Sequence, residues 1–89
     1  MIYFIKTNNE IKIGKTNDLE RRMTELQVGN HVALEPLYVI ENVDDSFETY
    51  VHEICGRFHI KGEWFKIEVL DHLLKHPWYK ANMKPYSVK

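Results

Sequence analysis

The sequence predicts an α+β fold, a small three-stranded antiparallel β-sheet flanked by helices. Three observations lead there. An Asn-rich turn divides two short alternating segments at the start of the chain. Two later segments repeat their apolar residues at helical spacing. The whole chain has 89 residues, enough for one hydrophobic core and no more.

Ile2 to Lys6 and Glu10 to Gly14 read as strands joined by Thr7-Asn8-Asn9, because Asn tolerates the left-handed backbone of a tight turn. An even turn centred on Asn8-Asn9 pairs residues whose numbers sum to 17. One face then carries Ile2, Phe4, Ile11 and Ile13, all apolar. The other carries Tyr3, Ile5, Lys12 and Gly14, which places a phenol and an amine beside a glycine.

Asn17 to Gln27 reads as a helix, with Asn17 as its cap and Glu20 completing a capping-box pattern. Gly29-Asn30 ends it. Leu19, Met23 and Leu26 form its buried stripe; Arg22 falls on the edge of that stripe and Arg21 points away. Leu34 to Glu41 reads as the third strand, with Pro36 placing an edge or a bulge at its start.

Asp44-Asp45-Ser46 caps a second helix expected to run to about His59, with Phe47, Tyr50, Val51, Ile54 and Phe58 inward. Glu48, His52, Cys55 and His59 follow one flank of that stripe. Lys61-Gly62-Glu63 is a turn into Trp64-Phe65-Lys66, and Ile67 to Lys75 is a third helix ended by Pro77. The chain thus divides into a domain at 1–76 and a basic, aromatic tail at 77–89.

Composition narrows the function classes. An apolar content of 44% is that of a globular chain and excludes disorder. A net charge of −1 excludes a strongly basic coat, but charge is unevenly spread. Residues 31–50 hold five acids and no base, while residues 51–89 hold seven bases against four acids. Contact with phosphate therefore belongs to the two ends of the chain. One cysteine, Cys55, excludes an internal disulfide and fits a reducing, cytoplasmic setting. No signal peptide and no membrane-spanning apolar run is read in it, so a soluble protein without a membrane partner is expected.

Ordered motifs then point to a family. Ile2-Tyr3, with Met1 before it, is followed by Lys12-Ile13-Gly14 and by Gly14-Lys15-Thr16-Asn17-Asp18-Leu19-Glu20-Arg21-Arg22. Leu26-Gln27-Val28-Gly29-Asn30, Glu48 with His52, and Gly62-Glu63-Trp64-Phe65 come after. Together they resemble the GIY-YIG nuclease superfamily over residues 1 to about 68. The pattern is most similar to its small phage-derived DNA-binding branch. Met1 stands where that superfamily usually has Gly, and Lys12 where it usually has its second Tyr. Its downstream Asn has no counterpart, and Ile60 stands near that place.

The resemblance implies hydrolysis of a DNA phosphodiester with one divalent ion, Mg²⁺ or Mn²⁺. Tyr3 would be the general base or orient the water. A free phenol titrates near 10, so nearby positive charge is required, and Lys12 on the same face would supply it. Arg22 would clamp the phosphate with its planar fork. Glu48 would ligate the metal, and His52, one turn on, would assist proton transfer or orient Glu48. Lys15, Arg21, Lys80 and Lys84 are the further cations expected on DNA. With Lys12, Lys15 and Arg22 together, a small positive groove on a neutral body is expected.

Plainer readings stand beside these. Tyr3 has the lesser reading of a half-buried strand tyrosine, Lys12 of a solvated lysine and Glu48 of a first-turn carboxylate favoured by the helix dipole. His52 reads as a packed helix-flank residue, and Gly62-Glu63-Trp64-Phe65 as architecture, with a lesser alternative that brings Glu63 to the metal. Zinc on Glu48, His52, Cys55 and His59 is disfavoured, since four positions along one straight helix do not converge on one ion. The tail is either a DNA-contacting arm or an aromatic segment packing back. At the level of function, the alternatives to an endonuclease are a non-catalytic DNA-binding module and a protein-interaction domain. A chain this small leaves specificity to a protein partner or a homodimer. The branch suggests the cytoplasm of a phage-infected or mobile-element-bearing cell.

Overall fold

β1 (Ile2–Thr7) and β2 (Glu10–Lys15) form the expected hairpin, and a computed structural model describes residues 1–86 of the chain. Their register pairs Tyr3 with Gly14, Phe4 with Ile13 and Ile5 with Lys12. Asn8 turns the chain at φ 49°, a left-handed conformation that Asn adopts with little strain.

β3 (Glu35–Ile40) lies antiparallel on the other side of β1. Phe4 faces Tyr38 while Ile5 faces Pro36, so the register shifts by one residue beside the proline. A residue with no N–H to give is accommodated at such a bulge.

The sheet has six strands rather than three. β4 (His59–Lys61) and β5 (Trp64–Lys66) form a second hairpin that docks on β2, with Lys12 opposite Trp64. β6 (Lys84–Pro85) adds to β3, with Val39 opposite Lys84. The order is β4-β5-β2-β1-β3-β6, antiparallel throughout. The added strands hold two or three residues each, too few for alternation to mark them. They form because the edges of β2 and β3 present N–H and C=O groups that need partners.

Helices cover both faces. α1 (Leu19–Gln27) lies on the face of Tyr3, Ile5 and Val39, where Leu19 is buried and Met23 and Leu26 pack alongside. Its cap is Asp18, not Asn17: the Asp18 carboxylate accepts from the Arg21 N–H at 3.1 Å. The Asp18 N–H in turn donates to the Thr16 hydroxyl, which settles the turn one residue later than the Asn17–Glu20 pattern predicts.

α2 (Phe47–Ile54), α3 (Val69–Leu74) and α4 (Pro77–Asn82) serve the opposite face. Val51, Cys55, Val69, Leu73, Tyr79 and Met83 join Ile2, Phe4, Ile11, Ile13 and Phe65 in one core. Each large side chain withdrawn there contributes about 1.5–3 kcal/mol of transfer free energy. α2 stops at Ile54, five residues before the expected end, because Gly56 opens a 3₁₀ turn (Gly56–Phe58) and His59 is drawn into β4. Pro77 does not merely end α3. It opens α4 at the first-turn position where its missing N–H costs nothing. Residues 77–86 pack back on the domain, burying Tyr79 and Met83 and pairing through β6. The remainder of the expected tail lies outside the described residues.

Candidate active site

The hairpin register places Tyr3 directly across from Gly14, and the phenol ring lies over the glycine. A Cβ at Gly14 would collide with the Tyr3 hydroxyl oxygen and Cζ, and would come 2.9 Å from Oε1 of Glu63. Gly14 is therefore the floor on which the Tyr3 hydroxyl rests. Tyr3 is buried, only 1% exposed.

Arg22 reaches this hydroxyl from α1. Its guanidinium lies within hydrogen-bonding reach of the phenol oxygen, and that bond and the Tyr3 charge hold the Arg22 pKa above its ordinary value. Its Nε is buried with no partner. Burial is the largest influence on Tyr3 and pushes its pKa up; the hydrogen bond to Arg22 pulls it down. The carboxylates of Glu63 and Glu48 both push it up, which places each within electrostatic reach of the hydroxyl. The net direction is upward, so Tyr3 is a neutral phenol at neutral pH.

Lys12 does not meet Tyr3 as a bare cation. Its Nζ lies 3.2 Å from Oε1 of Glu63 and 5.2 Å from the centre of the Trp64 ring. The Lys12 side chain is 14% exposed, held between a carboxylate and an aromatic face. The cation at Tyr3 is Arg22 instead.

Glu63 reaches the same place from the β4–β5 turn. Gly62 takes φ 56° in the β4–β5 turn, a left-handed conformation that suits glycine. The Ile13 N–H then donates to the Glu63 carbonyl at 2.9 Å, extending the β2–β5 ladder by one residue. His59 fixes the same turn, its Nε2–H donating to the Gly62 carbonyl at 2.8 Å. The β2–β5 pairing that sets Glu63 opposite Ile13 is long-range, so no local signal in the sequence marks it.

Glu48 stands in the first turn of α2, half-buried, and its Oε2 is buried with no hydrogen-bond partner. His52, one turn on, donates its Nε2–H to the Ile13 carbonyl at 2.9 Å and sets its ring edge-on to Phe65. That nitrogen secures β2 rather than facing Tyr3. Lys15, Arg21 and Arg22 line an open cleft of about 320 Å³ beside α1, together with Asp18 and Glu25. Arg21 and Arg22 each approach Glu25 at 3.7 Å. The expected positive groove is thus largely neutralised: Glu63 meets Lys12, and Glu25 meets both arginines.

Tyr3, Arg22 and Glu63 share one surroundings, Lys12 joins them through Glu63, and Glu48 is the weakest of the charges acting on Tyr3. Lys80 and Lys84 are exposed but lie elsewhere. Lys80 is on α4, and Lys84 is on β6, at the sheet edge opposite the β4–β5 turn. Cys55 is sealed in the core, where burial pushes its thiol up to about 12. Among the described residues, no group of three or more His, Cys, Asp or Glu is arranged to hold a metal ion.

The profile of the T5orf172 domain matches residues 1–80, nearly the whole chain. The chain belongs to the T5orf172 domain family. That domain is related to the GIY-YIG nuclease superfamily. No curated protein matches the chain, and no solved structure does. One motif lies apart from the candidate site. The Leu26-to-Asn30 segment is a structural clamp: Gln27 donates to the Asn30 and Val32 carbonyls and accepts from the Leu34 N–H, while Gly29 turns at φ 77°. That clamp fixes the path from α1 into β3. No helix among the described residues is long and apolar enough to cross a membrane.

Proposed function

We propose that this T5orf172 domain is a divalent-metal-dependent DNA endonuclease of the GIY-YIG type. One observation carries the reading: a buried tyrosine hydroxyl lies over Gly14, beside the Glu63 carboxylate and within the influence of Arg22, and Glu48 holds a buried carboxylate oxygen with no partner. A buried acceptor without a donor is costly unless something binds it. A hard cation with oxygen ligands suits it, completed by water and phosphate oxygens, and Mg²⁺ or Mn²⁺ fits that donor set. When bound, such a cation supplies charge stabilisation to the phosphate and its leaving oxygen. Arg22 contributes a planar fork that holds two phosphate oxygens. Tyr3, a phenol at neutral pH, orients the attacking water through its hydroxyl. Loss of its proton to act as a base requires a further cation beside it. Lys12 offsets the charge of Glu63, and His52 holds β2 in place.

The test is nicking of supercoiled plasmid with Mg²⁺ or Mn²⁺ by the natural protein and by Tyr3→Phe, Arg22→Ala and Glu48→Ala. Each substitution is expected to lower the rate by about 10²-fold or more. No nicking by the natural protein with either metal, or equal nicking by all four, refutes the reading.

A second reading has its own observation. Burial and two carboxylates keep Tyr3 protonated, which suits a hydrogen-bonding surface better than a base. On that reading the domain is a non-catalytic DNA-binding module, as the resemblance to the small phage-derived branch suggests. DNA retained in gel shifts at low salt, without nicking, would favour it. Lys15 and Arg21 are the cations beside the site that would meet DNA phosphate. Lys80 and Lys84 would meet it only if the duplex wraps to the far edge. Sequence specificity would come from a protein partner or a second copy of the chain, and the setting would be cytoplasmic.

A further inference from the structure

The carboxylate of Glu63 lies 3.2 Å from the Lys12 amine and beside Gly14, over which the Tyr3 hydroxyl rests. We propose that Glu63 makes phosphate binding at this site depend on a divalent cation. Lys12 and Arg22 are the two cations of the inner site. An incoming phosphate seeks both. Glu63 is already 3.2 Å from the Lys12 amine and lies against Gly14 beside the Tyr3 hydroxyl. A phosphate arriving there meets a like charge at contact distance and a lysine already neutralised.

The turn that delivers Glu63 is built to keep it in place. Its carbonyl accepts from the Ile13 N–H at 2.9 Å, the preceding Gly62 carbonyl accepts from His59 at 2.8 Å, and Trp64 closes the other side of Lys12. Oε1 of Glu63 has no well-aligned donor despite its closeness to Lys12, so it is free to take a further cation. A cation on Glu63 would remove the repulsion and leave Lys12 and Arg22 to the phosphate. This inference rests on the proposed DNA reading, and inorganic phosphate provides an arm that is independent of DNA.

The experiment compares the natural protein with Glu63→Gln and with Glu53→Gln, an exposed carboxylate on α2 that controls for net charge. Binding of a fluorescein-labelled duplex is read by anisotropy in EDTA and with Mg²⁺ at constant ionic strength. Binding of inorganic phosphate is read from amide shifts of Tyr3, Lys12 and Arg22. The natural protein and Glu53→Gln are expected to bind both ligands about ten-fold tighter with Mg²⁺ than in EDTA. Glu63→Gln should bind in EDTA as tightly as the natural protein does with Mg²⁺, and gain little from the metal. Matching melting temperatures establish that the variants are folded. An unchanged Mg²⁺ response in Glu63→Gln, or an equal effect of Glu53→Gln, overturns the inference and leaves the DNA reading standing. Phosphate binding gained by Glu63→Gln without any duplex binding supports the role of Glu63 and refutes the DNA reading. Binding of neither ligand by any of the three proteins overturns both.

Discussion

Replacing Gly14 with alanine adds one methyl group, and its cost follows from the cross-strand register. Gly14 does not adopt a left-handed φ, so alanine suits its backbone and the penalty is one of contact alone. The new Cβ would collide with the Tyr3 hydroxyl oxygen and Cζ and lie 2.9 Å from Glu63 Oε1. Tyr3 is 1% exposed and packed with Leu19, Ile5 and Val39, so the ring has nowhere to retreat. Overpacking of this kind costs about 1–3 kcal/mol. In a domain of this size each kcal/mol lowers Tm by roughly 4–8 °C, so a fall of roughly 10 °C is expected. Thermal unfolding followed by circular dichroism measures it. The same substitution is then made in a Tyr3→Leu background, where the colliding atoms are gone. There the cost should shrink by at least about 1 kcal/mol, a coupling expected only between residues in contact. An equal cost in both backgrounds would refute the placement of the Tyr3 ring over Gly14, and with it the geometry of the candidate site.

Other perturbations test separate parts of the fold. Burial pushes Cys55 up to about 12, and Tyr3 and Tyr79 also lie above their ordinary value. The unfolded chain therefore ionises first, and the stability these groups contribute is full below about pH 9 and lost as the pH rises toward 12. Urea unfolding across that range should show a steep alkaline loss that Cys55→Ala makes shallower. Gln27→Ala removes three hydrogen bonds to the segment before β3, at 2.9, 3.1 and 3.1 Å. Because they are exposed, the cost should be about 1 kcal/mol, with faster hydrogen exchange at the Leu34 amide as the local signature. Asp18→Ala should cost about 1 kcal/mol in the same unfolding assay and Asn17→Ala almost nothing, since Asp18 is the cap of α1.

The sheet's centre was legible because it rests on local rules. Asn8-Asn9 sets the turn, the parity of Ile2, Phe4, Ile11 and Ile13 sets the register, and Pro36 marks the bulge. Arg22 was legible from the helical wheel, since a cation on the edge of a buried stripe needs a partner and finds Tyr3. The outer strands were not. His59 read as the end of a helix, and only the break at Gly56 and the pairing of His59 with Phe65 of β5 turn it into a strand. The segment after Pro77 read as a tail, either a DNA arm or an aromatic segment packing back, because its composition does not reveal that Tyr79 and Met83 join a core that reaches back to Ile2 and Phe4. These are long-range pairings, and periodicity does not report them.

The same limit explains why charge was misjudged. Along the sequence, Lys12 stands among uncharged neighbours and Glu63 belongs to a turn 51 residues away. Counting charges by segment therefore made Lys12 and Arg22 the basis of a positive groove. The fold sets Glu63 against Lys12, a pair that no window contains, and Glu25 against Arg22 one turn along α1, so the net potential at Tyr3 depends on both. The consequence is chemical as well as electrostatic. A site whose cations are already answered by carboxylates is poor at holding phosphate by itself and well suited to holding it with a second cation, because the added charge does not have to overcome a deficit of ligands. On the proposed reading, carboxylate oxygens of Glu48 and Glu63 would serve as its acceptors, and the lysine and arginine would be released to the phosphate rather than displaced. An arrangement that would be a defect in a simple DNA-binding groove would then be coherent, because phosphate would bind only together with the metal.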